Sequence, residues 1–207
     1  MAQGIFPSPV QPARTSGLLH FDIGVAATGV KVDTSSPYWK NSVSKDFTTG
    51  GYVAVPRLVV TKGFGAGALS ASYAKVNNSG IKTWGGAIDI PIIRGTLASP
   101  EIALRGSYAT LTGVQDYKLK VYGLEAFISK GIGPFTPYAA YGRMRSNSNA
   151  TASGNVLGQT VTVALSDSSN VNRYTAGVRF SLLVPKIAVE VTRAEVTSYA
   201  AKVSLGF

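Results

Sequence analysis

From Gly17 onward the chain alternates. Leu19, Phe21, Ile23, Val25 and Ala27 occupy one parity and His20, Asp22, Gly24, Ala26 and Thr28 the other, which is the two-residue period of a strand whose faces meet different surroundings. The pattern recurs. Tyr52, Ala54, Pro56, Leu58 and Val60 stand opposite Arg57, Leu69, Ala71 and Tyr73 mark a return strand, and Trp84, Gly86, Ile88, Ile90 and Ile92 oppose Asp89. Ile102, Leu104, Gly106 and Tyr108 oppose Arg105 and Ser107. Tyr174, Ala176, Val178, Phe180 and Leu182 alternate with Arg173, Thr175, Gly177, Arg179 and Ser181, and Ile187, Val189 and Val191 with Ala188, Glu190 and Thr192. The last strand sets Tyr199, Ala201, Val203, Leu205 and Phe207 against Ser198, Ala200, Lys202, Ser204 and Gly206.

Glycine-, asparagine- and proline-bearing stretches at 62–65, 77–80, 95–100, 113–116, 131–134 and 184–186 supply the turns. Two stretches fit less well. In 117–130, Leu119 and Val121 share one face while Tyr122, Leu124, Ala126 and Ile128 share the other, which predicts a bulge near Val121. The faces of 136–142 are unassigned. Pro56, lacking an N–H, predicts a bulge or an unpaired position. The whole pattern predicts an all-β fold, a single antiparallel up-and-down barrel of about ten strands, an even count that brings both termini to the periplasmic side. The longest connections, 33–50 and 146–172, then fall together as outer loops, the second with one strand-like insert at 159–165. Residues 1–16 carry Pro7, Pro9 and Pro12 and are read as a tail ahead of the barrel proper (17–207), with a plug of the barrel mouth as the alternative.

Composition places this barrel in a membrane. Hydrophobic residues make up 45% of the 207 and charged ones 14%, yet no run is long enough for an apolar helix to cross a bilayer, whereas tilted strands of about 9–11 residues leave this broken signal. Aromatic residues sort by end: Phe21, Phe64, Phe127, Phe135, Phe180 and Phe207 towards the periplasmic ends, and Tyr52, Tyr73, Trp84, Tyr117, Tyr174 and Tyr199 towards the outer ends, as two aromatic girdles. The ending itself, with Tyr199, Ala201, Val203, Leu205 and a terminal Phe207 at alternate positions, resembles the C-terminal signal of bacterial outer-membrane β-barrels, of the small porin-like or OmpA-like class. The resemblance implies a Gram-negative outer membrane, insertion by its assembly machinery through that last strand, and contact with outer-membrane lipid and lipopolysaccharide. The start, Met1-Ala2-Gln3-Gly4, lacks the basic and apolar regions of a secretory signal, so Met1 reads as added to a processed chain.

Charge is informative once sorted by face. Asp22, Asp89, Glu125 and Glu190 and an equal number of cations, Arg57, Arg105, Arg179 and Lys202, face the lumen, either lining a narrow path for small solutes or interlocking to close it. The excess behind the net charge of +10 falls on an outer basic rim comprising Lys75, Lys82, Lys118, Lys120, Arg143, Arg145 and Arg173, suited to lipopolysaccharide phosphates. These cations are scattered singly and form no nucleic-acid-binding motif. The chain has no cysteine and a single histidine, His20. No metal or cofactor site is expected, and with no marked serine nucleophile beside His20 the histidine is read as structural and the protein as a non-enzyme. Two functions remain: a narrow porin-like channel, or a closed-lumen structural or interaction barrel meeting a protein partner through its loops or tail.

Overall fold

A computed structural model describes residues 2–13, 17–31, 48–49, 52–75, 80–96, 98–114, 116–156 and 159–206. Ten strands close into a ring. They are β1 (Phe21–Lys31), β3 (Tyr52–Gly63), β4 (Ala68–Lys75), β5 (Lys82–Ile93), β6 (Glu101–Thr112), β7 (Tyr117–Ser129), β8 (Phe135–Val156), β9 (Gln159–Ser181), β10 (Pro185–Arg193) and β11 (Thr197–Gly206). Neighbours in sequence pair antiparallel, and β1 pairs with both β11 and β3, so no edge is left open. The two-residue β2 (Thr48–Thr49) extends the ladder at the outer end of β3, and α1 (Ala2–Ile5) is one helical turn.

Burial follows the alternation. On β1, Asp22, Gly24, Ala26 and Thr28 are buried while Ile23 and Val25 are exposed; on β11, Ser198, Lys202, Ser204 and Gly206 are buried while Tyr199, Val203 and Leu205 are exposed. The inward row faces the lumen and the outward row is apolar: Leu58, Leu69, Ile88, Ile90, Leu104, Leu124, Ile128 and Val189 are between 38% and 62% exposed. An apolar belt continued around the whole circumference is the surface a lipid-embedded barrel presents, and water would not tolerate it. Aromatic pairs stack across neighbouring strands at both ends of the belt. Phe135 lies 4.9 Å from Phe180 at one end, and Tyr73–Trp84, Tyr108–Tyr122 and Tyr141–Tyr174 lie at 4.4, 5.2 and 5.0 Å towards the other.

Several expectations change. Leu119 and Val121 face the lumen beside Glu125, and β7 pairs with β6 and β8 without any register shift, so there is no bulge near Val121. The apolar residues point inward because an apolar side chain, Phe6, is there to meet them. The same inversion removes Phe127 from the girdle; it is 3% exposed and packs inside against Tyr138. The β1–β3 ladder runs through Pro56 in register with Ala27, with no bulge, while the β3–β4 ladder ends at Leu58 and leaves Pro56 unpaired on that side. A register shift does occur on β5, between Pro91 and Ile93. In 136–142 the inward residues are Thr136, Tyr138, Ala140 and Gly142.

The stretch 146–172 is not a loop. β8 and β9 stay paired from Phe135↔Phe180 to Val156↔Gln159, forming a hairpin that continues well past the barrel wall. Apart from the insert at 159–165, the Ser, Asn and Thr there give no apolar alternation, and the backbone ladder needs no such signal. Apart from Thr48–Thr49, the expected loop at 33–50 lies outside the described residues, as does Phe207.

Candidate functional site: the occupied lumen

The proline-bearing segment expected as a tail lies inside the barrel. Phe6, Val10 and Ala13 are 2%, 0% and 1% exposed, and Gln3, Ser8 and Gln11 are buried with them. Prolines at positions 7, 9 and 12 keep this stretch out of helix and strand and give it few N–H groups to satisfy, which suits a peptide threaded through a space already walled by paired strands. Its apolar side chains find three pockets in the wall. Phe6 packs with Leu111, Leu119, Val121 and Met144; Val10 with Ala26, Val59 and Ala188; Ala13 with Ala103, Phe127, Tyr138 and Ala140. Val10 has φ of 49°, costly for a β-branched residue, and persists because its surroundings over-determine it.

The segment runs lengthwise. Ala2 and Ile5 pack beside Leu111, Leu119 and Tyr117, and Gln3 donates to Ser198 at the end from which the long hairpin projects. Ala13 lies near the opposite end, where Gly206 pairs with Asp22. Ala2 and Gly206 therefore lie towards opposite ends of the lumen. A peptide that doubles back through the barrel adds a crossing that strand counting does not see.

All eight residues expected to face the lumen are buried there: Asp22, Arg57, Asp89, Arg105, Glu125, Arg179, Glu190 and Lys202. Arg57, Arg105, Glu190 and Lys202 reach the threaded segment, and Arg105 and Lys202 also pair with Asp89 and Asp22. Arg105 makes a two-pronged pair with Asp89 on the adjacent strand, at 2.6 and 2.9 Å, and a third bond to the Gln11 carbonyl at 3.1 Å, while its guanidinium stacks 4.4 Å from the Phe127 ring. Lys202 donates to Gln11 Oε1 at 2.7 Å and to Asp22 at 3.0 Å, and Asp22 also accepts from Ser204 and pairs with Lys186. Gln11 donates onward to Thr61. Glu190 accepts from Ser8 at 3.0 Å and from the Tyr138 hydroxyl at 3.1 Å, and Arg57 donates to the Phe6 carbonyl at 3.1 Å.

Arg173 corrects the outer rim. It is 3% exposed, donates to Glu125 and Gln3 at 3.2 Å each, and lies over the Phe6 ring. Its parity with Thr175 and Arg179 was already that of the inward row. The other rim residues, Lys75, Lys82, Lys118, Lys120, Arg143 and Arg145, are exposed on the outer face. With Arg173 inside, the lumen holds, among the described residues, five buried cations, Arg57, Arg105, Arg173, Arg179 and Lys202, against four buried acids, Asp22, Asp89, Glu125 and Glu190. Sequence reasoning missed Gln3, Phe6, Ser8 and Gln11. Phe6 and Val10, two large apolar residues in a supposed solvent tail, were the available signal.

Elsewhere, His20 sits in the turn before β1, its amide donating to Gly17 and its carbonyl accepting from Gly63. Tyr199, Ala201, Val203 and Leu205 of the closing strand all face outward.

The fold is a closed, ten-stranded antiparallel up-and-down β-barrel. No family model and no curated protein matches the chain. Among solved structures it is similar to the N-terminal β-barrel domain of Pseudomonas aeruginosa OprF (12% identity, 93% of this chain and 100% of that one, TM-score 0.40). It is also similar to Neisserial surface protein A (12%, 90% and 97%, TM-score 0.36) and to the KdgM porin (12%, 90% and 99%, TM-score 0.41). No functional residue is carried over from these proteins.

Proposed function

We propose that this chain is a bacterial outer-membrane barrel held shut by its own N-terminal segment, a closed-lumen structural or interaction barrel that works through its outer surface. The observation that carries this reading is the engagement of residues 2–13 with the wall on several sides, by Arg57, Arg105, Arg173, Glu190, Ser198 and Lys202. An interior cavity lined by Gln3, Arg57, Arg173 and Glu190 measures about 10 Å³, at the lower limit for a single water. Ions need a continuous water path, and the close engagement of residues 2–13 with the wall supports a lumen without one. On this reading the lumen charges serve as the plug's binding site, and the closing strand with Phe207 serves as the signal read by the assembly machinery.

A narrow porin-like channel is the second reading. It is favoured by the polar character of the plug's contacts through Gln3, Ser8 and Gln11, which water can replace if the segment withdraws. Conductance of the refolded full chain in planar bilayers, beside a variant lacking residues 2–13, separates the two. Closure predicts silence from the full chain and stable unitary steps after the deletion. Equal steady conductance from both would overturn it.

A further inference from the structure

The threaded segment has a direction, and the wall records it. Gly4 lies beside Val55, Arg57 donates to the Phe6 carbonyl, and Gln11 donates to Thr61. Successive residues of the segment thus meet successive residues of β3, from its start at Tyr52 towards its end at Gly63. β11 gives the same order, since Gln3 meets Ser198 and Gln11 meets Lys202. Ala2 and Ile5 close this series at the end that bears the β8–β9 hairpin, where Ile81 and Val114, from the β4–β5 and β6–β7 connections, join the same apolar group.

The other end of the segment is tied to the short turns. Lys62 donates to the Leu18 carbonyl at 2.7 Å, the Gly63 N–H donates to the His20 carbonyl at 2.9 Å, and the Leu18 side chain lies against Gly65. All of these belong to the β3–β4 turn or its approach. Exposure follows the same course. Residues 6–13 are buried throughout, Ala2, Gly4 and Ile5 are half-buried, and Gly17, Leu18 and Leu19 are exposed. The chain therefore comes out to solvent on both faces of the barrel, at Gly17 on one and at Ala2 on the other.

A polypeptide joined ahead of Ala2 has one way to go. Phe6, Val10 and Ala13 fill the apolar pockets of the wall, and the space left beside Gln3, Phe6 and Ser8 is about 10 Å³, room for one water and not for a second backbone. We infer that the barrel is a display anchor: it holds its N-terminal end out on the face that bears the β8–β9 hairpin, and presents there an extended polypeptide carried ahead of Ala2. The inference rests on the lumen segment described above. The membrane orientation proposed for the chain makes that face the outer one, but the threading depends neither on that orientation nor on whether the lumen conducts.

The chain has no cysteine, so a single introduced one reports one position. Three forms of the full chain are exported in Gram-negative cells. One carries a flexible Gly/Ser extension ahead of Ala2 that begins with cysteine; the second is Ser168→Cys, exposed on the hairpin; the third is Gly131→Cys, exposed in the short β7–β8 turn, where an added Cβ meets nothing. Folding of each is checked by gel mobility before and after heating, and each is labelled with a membrane-impermeant polyethylene-glycol maleimide before and after the outer membrane is permeabilised. The expected result is that the extension labels in intact cells together with Ser168→Cys, at least tenfold faster than Gly131→Cys, and that permeabilisation removes the difference. An extension that follows Gly131→Cys instead, or that labels in neither state, would overturn the assignment. Joint labelling of the extension and Ser168→Cys only after permeabilisation would uphold the threading and overturn the membrane orientation, while bilayer conductance reads closure of the lumen separately.

Discussion

The guanidinium carbon of Arg173 lies over the Phe6 ring, 3.6 Å from its centroid, so a wall residue and a plug residue meet in the lumen. Arg173 is also held by Glu125 and Gln3, which fixes the plane on which the ring rests. Cation–π contacts are strongest where water is excluded, as here. Replacing Phe6 with Ala removes this stack and the packing against Val121 and Met144, at a cost of about 3–5 kcal/mol. The loss falls on plug docking, because the strands keep their ladders. Phe6→Ala is expected to give transient conductance steps and faster proteolysis of the N-terminal segment, with unchanged strand content by circular dichroism.

Removing Phe6 changes the plug, whereas Gly123 allows the same question to be asked from the wall. A Cβ at this position would come within 2.6 Å of the Phe6 ring. Gly123→Val therefore leaves residues 2–13 intact but denies the ring its seat. The expected outcome is conductance resembling that of the deletion, with heat-modifiable migration retained. A silent Gly123→Val barrel would mean that the plug shifts without leaving.

Deletion of residues 2–13 also predicts a selectivity. The wall then presents five buried cations against four acids, with Arg105 and Lys202 having lost their bonds to Gln11. Reversal potentials in a salt gradient should show anion preference. Adding Arg105→Ala should reduce that preference, because Asp89 then faces the path uncompensated.

In the intact chain the same substitution is a test of stability. Arg105 and Asp89 are 0% and 1% exposed, and removing one partner of such a pair leaves a buried charge at a cost of about 3–5 kcal/mol. Arg105→Ala should lower the urea midpoint for unfolding from lipid vesicles, and Arg105→Met with Asp89→Leu should recover most of the loss. If the single and double variants unfold alike, the pair is not what holds β5 to β6 at this level.

The upper part of the β8–β9 hairpin makes a contrasting case. From Ala152↔Val163 outward it is a two-stranded ribbon held by its own ladder. Shortening it symmetrically should leave assembly and lumen closure unchanged, as read by heat-modifiable migration and by silence in bilayers.

Which residues face lipid was legible without any tertiary information. Alternation is a local record of two solvents, so Ile23 and Val25 against Asp22 and Gly24, or Val203 and Leu205 against Lys202 and Ser204, declared their sides from sequence, and short turns made closure follow. The eight inward charges came from the same parity. The contents of the lumen could not be read that way. Gln11 and Lys202 are 191 positions apart, and nothing in a proline-bearing stretch states which surface it will meet. Leu119, Val121 and Phe127 looked out of phase because parity assumes a polar interior, and only the arrival of Phe6 and Ala13 makes an apolar inward patch favourable. Outside the insert at 159–165 alternation likewise fell silent in the outer hairpin, where the backbone ladder holds the strands. Sequence determined the wall, because each of its residues answers to its immediate surroundings; the tertiary structure decided whether the barrel is empty, because that depends on a segment finding its contacts on many strands at once.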